Sequence, residues 1–296
     1  MKRLAAAAAT AVLLASCGAP LPPTPSIGEP APAPSTTPTP VQAVTPAPIV
    51  DGTPAIVLEP PEFVSSPTPT RISLPLPQER LILEAPGPGS HVVSPVRVAG
   101  WGGPSAQGKI FVRLIGEQGQ EIARTTTFLL APEDAAGLFV VTVPFAMSGV
   151  AEAGLVEVSF NAPGTSRLEH LATRPVVFLS VGPPRIETNL EAAEKLTIFS
   201  PRPDQVVAGG SLIVRGAAWL DEDLPLRIEV IDRGGAVIAS TDVEVQEPVV
   251  GELGTFEAVL TYQVPFAQYV RLALAERGLT PPALRHYTSI RLYLQP

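Results

Sequence analysis

The sequence predicts an all-β chain: two tandem β-sandwiches that follow a disordered, proline-rich stalk. Three observations support this prediction. Proline is concentrated before residue 79, short runs of alternating apolar residues fill the remainder of the chain, and those runs occur twice at a nearly constant offset. Short strands separated by turn residues at regular spacing are typical of a β-sandwich.

The N-terminus has the order of a bacterial secretion signal. Two basic residues precede an apolar run, residues 4–14, which is too short for a permanent transmembrane helix. Residues 14–17, with the sequence LASC, resemble the lipobox of bacterial lipoproteins, and Cys17 is the only cysteine of the chain. The resemblance implies removal of residues 1–16 and acylation of Cys17. The alternative is an ordinary signal peptide that contains Cys17 by chance, which would leave the chain freely secreted.

Residues 17–78 are predicted to be a disordered linker that begins at the lipidated cysteine. Eighteen of the 36 prolines lie between residues 18 and 78, where charged residues are few. Because proline fixes φ and lacks an N–H group, neither a helix nor a central strand is expected there. The segment should be extended and should act as a stalk that holds the following domains away from the membrane. The alternative is a disordered spacer that is O-glycosylated at its threonines, and it differs little from the stalk interpretation.

The rest of the chain contains one pattern of short strands that occurs twice. Residues 79–182 hold six or seven period-two runs, with Gly119 in a hairpin turn, and the pattern returns in residues 196–296 at an offset of 114 to 117. This offset is too long for a solenoid repeat, so a duplicated domain is expected. The matched apolar positions should face the two cores: Val98, Val112, Leu114, Ile122, Phe139 and Val143, with Val214, Ile228, Val230, Ile238, Phe256 and Leu260 as their counterparts.

A short linker, residues 183–195, separates the two halves. Residues 189–195 are rich in Ala, Glu and Lys, which favours one or two helical turns. Because this linker is short, we expect it to limit the movement of the two sandwiches relative to each other. Each sandwich is expected to close its own core and to fold separately.

Three short motifs mark each half: Pro-x-Pro, Val-x-Gly and Gly-x-Phe. In the first half they occupy residues 86–88, 98–100 and 137–139. The second half repeats all three, the last two as Val214-x-Gly216 and Gly254-x-Phe256. With these motifs, each half resembles the immunoglobulin-like domain of bacterial sporulation and spore-germination proteins, which often stands at the end of lipoproteins. The resemblance covers about residues 81–182 and 196–294 and implies two tandem immunoglobulin-like sandwiches. The chain departs from the family at Leu138 and Thr255, where the family tends to carry an aromatic residue.

Charge and composition exclude several classes of function. A net charge of −8 argues against a nucleic-acid partner and against attraction to anionic lipid headgroups, so membrane contact is expected through the lipid anchor alone. A single cysteine cannot form an intramolecular disulfide. The sequence contains neither a G-x-S-x-G nucleophile elbow nor a phosphate-binding glycine loop. We therefore predict a protein that is not an enzyme, with no catalytic residue and no cofactor.

Three histidines and one acidic run are the candidates for metal binding. His91, His170 and His286 are far apart in the sequence, and surface or turn positions are expected for all three. The run 221–223 (Asp-Glu-Asp) falls in a predicted loop, where a solvated loop is preferred to a calcium site. No metal site is predicted.

Two tryptophans are the candidate ligand contacts. Trp101 and Trp219 follow the motif glycines at similar places in the two halves. Exposed indole rings stack on sugars, whereas buried ones pack at the ends of sandwiches, and packing is the preferred interpretation. The expected function is that of a membrane-anchored extracytoplasmic lipoprotein that presents two immunoglobulin-like domains for structural or protein-binding roles at the cell envelope. The alternative is a module that binds cell-wall or surface glycan, and the partner, an envelope protein or a glycan, stays unidentified.

Overall fold

Strands dominate the structure, and they pack into two tandem immunoglobulin-like sandwiches as predicted. The computed structural model describes residues 77–132, 134–189, 193–247 and 252–296. The predicted signal sequence 1–16, Cys17 and almost all of the predicted stalk 17–78 lie outside the described residues. Within the described part of the chain, no helix is long and apolar enough to cross a membrane.

Among the described residues, each half contributes eight strands. In the first half they are β1 (Leu81–Ala85), β2 (Ser90–Val93), β3 (Val96–Gly102), β4 (Lys109–Gly116), β5 (Glu121–Phe128), β6 (Gly137–Val143), β7 (Ala151–Asn161) and β8 (Leu168–Leu179). In the second half they are β9 (Leu196–Ser200), β10 (Val206–Val207), β11 (Ser211–Ala218), β12 (Leu226–Ile231), β13 (Val237–Val243), β14 (Gly254–Thr261), β15 (Gln268–Arg277) and β16 (Leu284–Leu294). A short 3-10 turn, Ala106–Gly108, precedes β4.

The two halves have the same sheet arrangement. One sheet of each sandwich has three strands, in the order β1-β3-β6 or β9-β11-β14. The other sheet has the order β5-β4-β7-β8 or β13-β12-β15-β16, and a short strand, β2 or β10, pairs in parallel with its last strand. This agreement supports the duplication inferred from the sequence.

A separate hydrophobic core fills each sandwich. Ten of the twelve matched apolar positions are buried in one core or the other, as predicted. The two exceptions, Ile122 on β5 and Ile238 on β13, are only partly buried and pack against the margins of the cores. Both belong to strands at the ends of their sheets, where a neighbouring strand covers one side only.

The glycines of the Val-x-Gly motif are explained by close packing. A Cβ atom on Gly100 would lie 2.1 Å from the carbonyl oxygen of Ile82 and 2.7 Å from the Phe139 ring. On Gly216 it would lie 2.2 Å from the carbonyl oxygen of Thr197 and 2.4 Å from the Phe256 ring. The Val-x-Gly and Gly-x-Phe motifs are therefore two parts of one contact, because each glycine makes room for the opposing phenylalanine.

The two sandwiches share one continuous sheet, which the sequence analysis did not predict. Strand β8 pairs antiparallel with β16, so eight strands run in the order β13-β12-β15-β16-β8-β7-β4-β5. Leu171 and Tyr287 lie opposite each other in this pairing and belong to a small third apolar cluster. We call the pairing of β8 with β16 the seam. All described residues belong to one compact unit.

Each half also places a hairpin loop against the other half. The loop between β7 and β8 carries Arg167, whose Nη2 donates a hydrogen bond of 2.6 Å to the carbonyl oxygen of Arg233 in the β12–β13 turn. The loop between β15 and β16 carries Pro282, which packs against Gly119 in the β4–β5 turn. The two contacts are reciprocal, because Arg167 also lies next to Gly235 of the β12–β13 turn, and Gly235 is the repeat counterpart of Gly119.

The helical turns predicted for residues 189–195 are not found at the described positions. Residues 190–192 lie outside the described residues. Asn189 Nδ2 donates to the carbonyl oxygen of Leu83 at 3.2 Å, and Ala193 forms an isolated β-bridge with Gln78. These hydrogen bonds to the first half outweigh the intrinsic helix propensity of a few residues, which is a weak preference.

Candidate ligand-binding sites at the seam

A cluster of buried charged and polar side chains lies beside the seam. His286 of β16 is buried, and its Nδ1 lies 2.7 Å from Glu276 Oε2 of β15. Glu276 Oε1 accepts a hydrogen bond of 2.5 Å from the backbone N–H of Asp221. Lys195 Nζ forms an ion pair with Asp221. The loop at residue 221 and the end of the linker are thus tied to the last hairpin of the second half.

Burial changes the protonation of two members of this cluster. Burial, together with the negative charge of Asp221, raises the pKa of Glu276 to about 7. Burial and the charge of Lys195 hold the pKa of His286 well below 6.5. At neutral pH the imidazole is therefore uncharged and Glu276 is partly protonated, so the two side chains can share one proton in a hydrogen bond.

A second polar group lies on the side of the seam that belongs to the first half. His170 of β8, the repeat counterpart of His286, is buried, and its Nε2 lies 3.2 Å from Glu194 Oε1. Its Nδ1 lies 3.4 Å from the Thr288 hydroxyl across the seam. The His170 ring also stacks on Phe160, with 5.8 Å between the ring centroids. His170 therefore connects the first half to the linker and to the second half, whereas the His286 side chain contacts Glu276 of its own half.

The expectation that all three histidines occupy surface or turn positions is wrong for two of them. His91 is exposed on β2, whereas His170 and His286 are buried on β8 and β16. Their burial follows from the pairing of β8 with β16, because each imidazole lies in a strand that the other half covers. Each ring nitrogen that contacts a carboxylate or hydroxyl compensates part of the cost of that burial.

The acidic run 221–223 contacts two cations rather than lying free in solvent. Asp221 pairs with Lys195, and Glu222 Oε1 accepts a hydrogen bond of 2.9 Å from Arg285 Nη2. Glu222 Oε2 also accepts from the backbone N–H of Leu279 at 2.9 Å. The Glu222 carboxylate therefore fastens this loop to the β15–β16 hairpin, and the Asp221 carboxylate fastens it to the end of the linker.

The cluster brings together three side chains of metal-ligating type that are distant in the sequence. One ligand atom from each of Asp221, Glu276 and His286 lies within 4.8 Å of the other two. Lys195 already supplies a positive charge to Asp221. The chemistry shown is that of a hydrogen-bonded ionic network.

A cavity of about 380 Å³ opens next to the same network. Its charged lining comes from Arg174, Lys195 and Arg285, with Asp221 and Glu222, and its apolar lining includes three prolines. The Arg174 side chain is buried, donates from Nη1 to the carbonyl oxygen of Thr173 at 2.8 Å, and places Nη2 3.9 Å from Glu79 Oε2.

An arginine-rich groove of about 460 Å³ lies between the β7–β8 loop and the outer face of the second half. Four arginines line it: Arg167, Arg233, Arg271 and Arg291. Tyr269 lies beside them, and Arg291 covers one face of its ring, 5.1 Å from the centroid. No local sequence pattern indicates this groove, because its residues come from four segments of the chain.

The two tryptophans occupy different environments. Trp101 of β3 is half-buried on the outer face of the β1-β3-β6 sheet, directly opposite the exposed Leu138 of β6. Trp219 is also half-buried, but its backbone N–H donates to the Lys195 carbonyl oxygen at 2.9 Å, and Lys195 Nζ lies 5.8 Å from its ring centroid. Trp219 thus packs against the linker, whereas Trp101 belongs to an open sheet face.

Comparison with known proteins gives no relative from which a function can be transferred. A scan against protein-family models finds no match, and a search of curated proteins finds no similar sequence.

Proposed function

We propose that this chain is a lipid-anchored extracytoplasmic protein that presents its two sandwiches as one body for structural or binding work at the cell envelope. The observation that supports this role is the continuous sheet across the seam, together with the reciprocal hairpins. Two domains joined in this way hold their outer surfaces in a constant relation, which suits binding to an extended partner.

The sequence before the sandwiches supports the anchor. Residues 14–17 resemble a lipobox, and the stalk that follows is long enough to separate the sandwiches from a membrane. The resemblance of each half to the immunoglobulin-like domain of spore-germination proteins supports the same location, because those domains often stand at the end of lipoproteins. We propose that both halves are members of that family and that the protein acts without catalysis.

The anchor is tested by expressing the full chain in a bacterial host and measuring the mass of its N-terminal peptide. We expect cleavage before Cys17, an acylated Cys17 and recovery of the protein in the membrane fraction. The Cys17→Ser variant should be released from the membrane, whereas Ser26→Ala, a small change within the stalk, should leave the protein membrane-bound. An unmodified Cys17 thiol on the mature protein would disprove the anchor.

A second function, binding to wall or surface glycan, is favoured by the outer face of the first half. Trp101 lies there beside Leu138 and Val140, and the two aliphatic side chains are 53% and 44% exposed. A half-exposed indole among apolar neighbours is a suitable surface for stacking on a sugar ring. The matched control is Trp219, which packs against Lys195.

Retention of the full chain on purified wall material tests this second function. If Trp101 binds glycan, the Trp101→Ala variant should lose most of its retention while Trp219→Ala keeps it. Equal retention of wild type and both variants would exclude the tryptophan face as a glycan site.

A further inference from the structure

The arginine-rich groove brings like charges together on a chain that is acidic overall. The net charge of the chain is −8, yet the lining of the groove contains four arginines and a single carboxylate, that of Asp232. Arg271 and Arg291 are direct cross-strand partners in the pairing of β15 with β16, so their side chains leave the same face of the sheet. Like charges directly opposite each other destabilise a sheet unless an anion lies nearby.

The carboxylates of the protein neutralise this groove only in part. Arg291 pairs with Asp204 at 2.5 Å, while Arg271 Nη2 lies 3.8 Å from Glu169 Oε1, an oxygen that Arg80 binds at 2.8 Å. Arg167 and Arg233 form no ion pair with any of the described residues, and Arg167 Nη2 donates instead to the Arg233 carbonyl oxygen at 2.6 Å. Burial also lowers the pKa of Arg271. The groove therefore holds more positive charge than its own acidic residues balance.

Arg271 donates from Nε to the Ser289 hydroxyl and from Nη2 to the Ser289 carbonyl oxygen, each at 2.9 Å, but the sandwich fold itself forms without an arginine pair at these positions. The repeat counterparts of Arg271 and Arg291 are Leu155 and Pro175, which are cross-strand partners in β7 and β8 just as the two arginines are in β15 and β16. The same scaffold thus forms with an aliphatic pair at these positions. A pair of arginines at equivalent positions in the second half therefore fits a role in ligand binding.

We propose that this groove binds a saccharide that carries phosphate or carboxylate groups. The planar guanidinium groups of Arg167 and Arg233, which lack acidic partners among the described residues, match the bidentate geometry of both oxyanions. Tyr269, 46% exposed, lies at the same face and offers a ring edge to the sugar. The volume of about 460 Å³ lies within the range of small-ligand sites.

This inference rests on the proposed binding role at the envelope and adds the chemical class of the ligand. The test uses the full chain purified in detergent and isothermal titration with three probes. Glucose 1,6-bisphosphate carries phosphate, tetragalacturonate carries carboxylates, and maltotetraose carries neither. We expect one or both anionic probes to bind with an affinity that falls as salt is added, and maltotetraose to give no measurable heat.

Variants locate the binding. Arg233→Gln and Arg291→Gln should each lower the affinity for the probe about tenfold, which is typical for loss of one charge-assisted hydrogen bond. The matched control is Arg215→Gln. Arg215 is 57% exposed at its side chain and pairs with Glu257, just as Arg291 is 57% exposed and pairs with Asp204. The affinity of the Arg215→Gln variant for the probe should stay within about twofold of the wild-type affinity.

A further variant, Arg271→Leu, introduces the residue found at the counterpart position and should also weaken binding while the chain stays folded. Binding of tetragalacturonate alone or of the bisphosphate alone would identify which oxyanion the groove prefers. The proposal is overturned if neither anionic probe binds at millimolar concentration, or if Arg215→Gln weakens binding as much as Arg233→Gln. The mass of the Cys17 peptide, measured on the same preparation, tests the anchor independently, so that the two failures are distinguishable.

Discussion

Leu171 of β8 and Tyr287 of β16 lie directly opposite each other across the seam, and each is the repeat counterpart of the other, 116 positions apart. On either side of this pair, Ala172 faces His286 and His170 faces Thr288. A strand that pairs antiparallel with its own counterpart about a central residue is the geometry of a symmetric dimer. At the seam, the two halves of the chain are therefore related as the two subunits of a symmetric dimer are.

The first prediction concerns the coupling of the two halves. Leu171 is 4% exposed within the small apolar cluster at the seam, so Leu171→Asp would place an unpaired charge there. We expect a loss of about 3 kcal/mol or more in the free energy of unfolding. Because each half keeps its own core, urea unfolding should change from one transition to two.

The control for this prediction is Leu279→Asp in the β15–β16 loop, where the side chain is 68% exposed. That variant should unfold in a single transition with nearly wild-type stability. Two transitions already present in the wild type would show that the seam does not couple the halves.

The second prediction concerns the motif glycines. Gly100→Ala and Gly216→Ala each force a Cβ atom against a backbone carbonyl and a core phenylalanine ring, so each should lower the free energy of unfolding by about 1–3 kcal/mol. Gly149→Ala is the matched control, because the nearest atom to its added Cβ is 3.7 Å away. Urea titration measures all three. A loss in Gly149→Ala equal to that in Gly100→Ala would contradict the packing explanation.

The fold was predictable from the sequence because the repeat made the apolar pattern visible twice. Phe139 and Phe256, or Val112 and Ile228, are each ambiguous alone, but their equal spacing from other matched positions indicates a core. The helical turns expected between Asn189 and Lys195 are absent at the described positions, because Asn189 and Ala193 form hydrogen bonds with residues far away in the chain.

The candidate sites were not predictable from local patterns, because the seam creates them. The repeat did contain two usable signals. His170 and His286 are counterparts, which places two histidines at equivalent positions of paired strands. Arg271 stands where the first half has the buried Leu155, and a charged residue at a core-like position of a strand is a sign of a site. Neither signal has meaning without the knowledge that β8 and β16 are adjacent.

The last prediction concerns the pH dependence of stability at the seam. Glu276 has a pKa of about 7 in the folded protein and 4.5 as its ordinary value, so the folded state binds the proton more tightly. The contribution of Glu276 to the free energy of unfolding is therefore complete below pH 4.5 and is lost as the pH rises to about 7. His286 acts in the opposite direction: its contribution is present above pH 6.5 and is lost as the pH falls, because the folded state favours the neutral ring.

Glu276→Gln tests the first of these two effects, because the amide mimics the protonated carboxyl. Its oxygen can accept from the Asp221 N–H, and its NH₂ group can donate to Nδ1 of neutral His286. Above pH 7 we expect the variant to be more stable than the wild type by up to about 3 kcal/mol, with the difference shrinking toward pH 4.5. Urea unfolding at several pH values measures it. Glu257→Gln, at a carboxyl half-exposed on the surface, should give only a small change at every pH. A Glu276→Gln variant less stable than the wild type at pH 8 would show that Glu276 is needed there as a charged carboxylate.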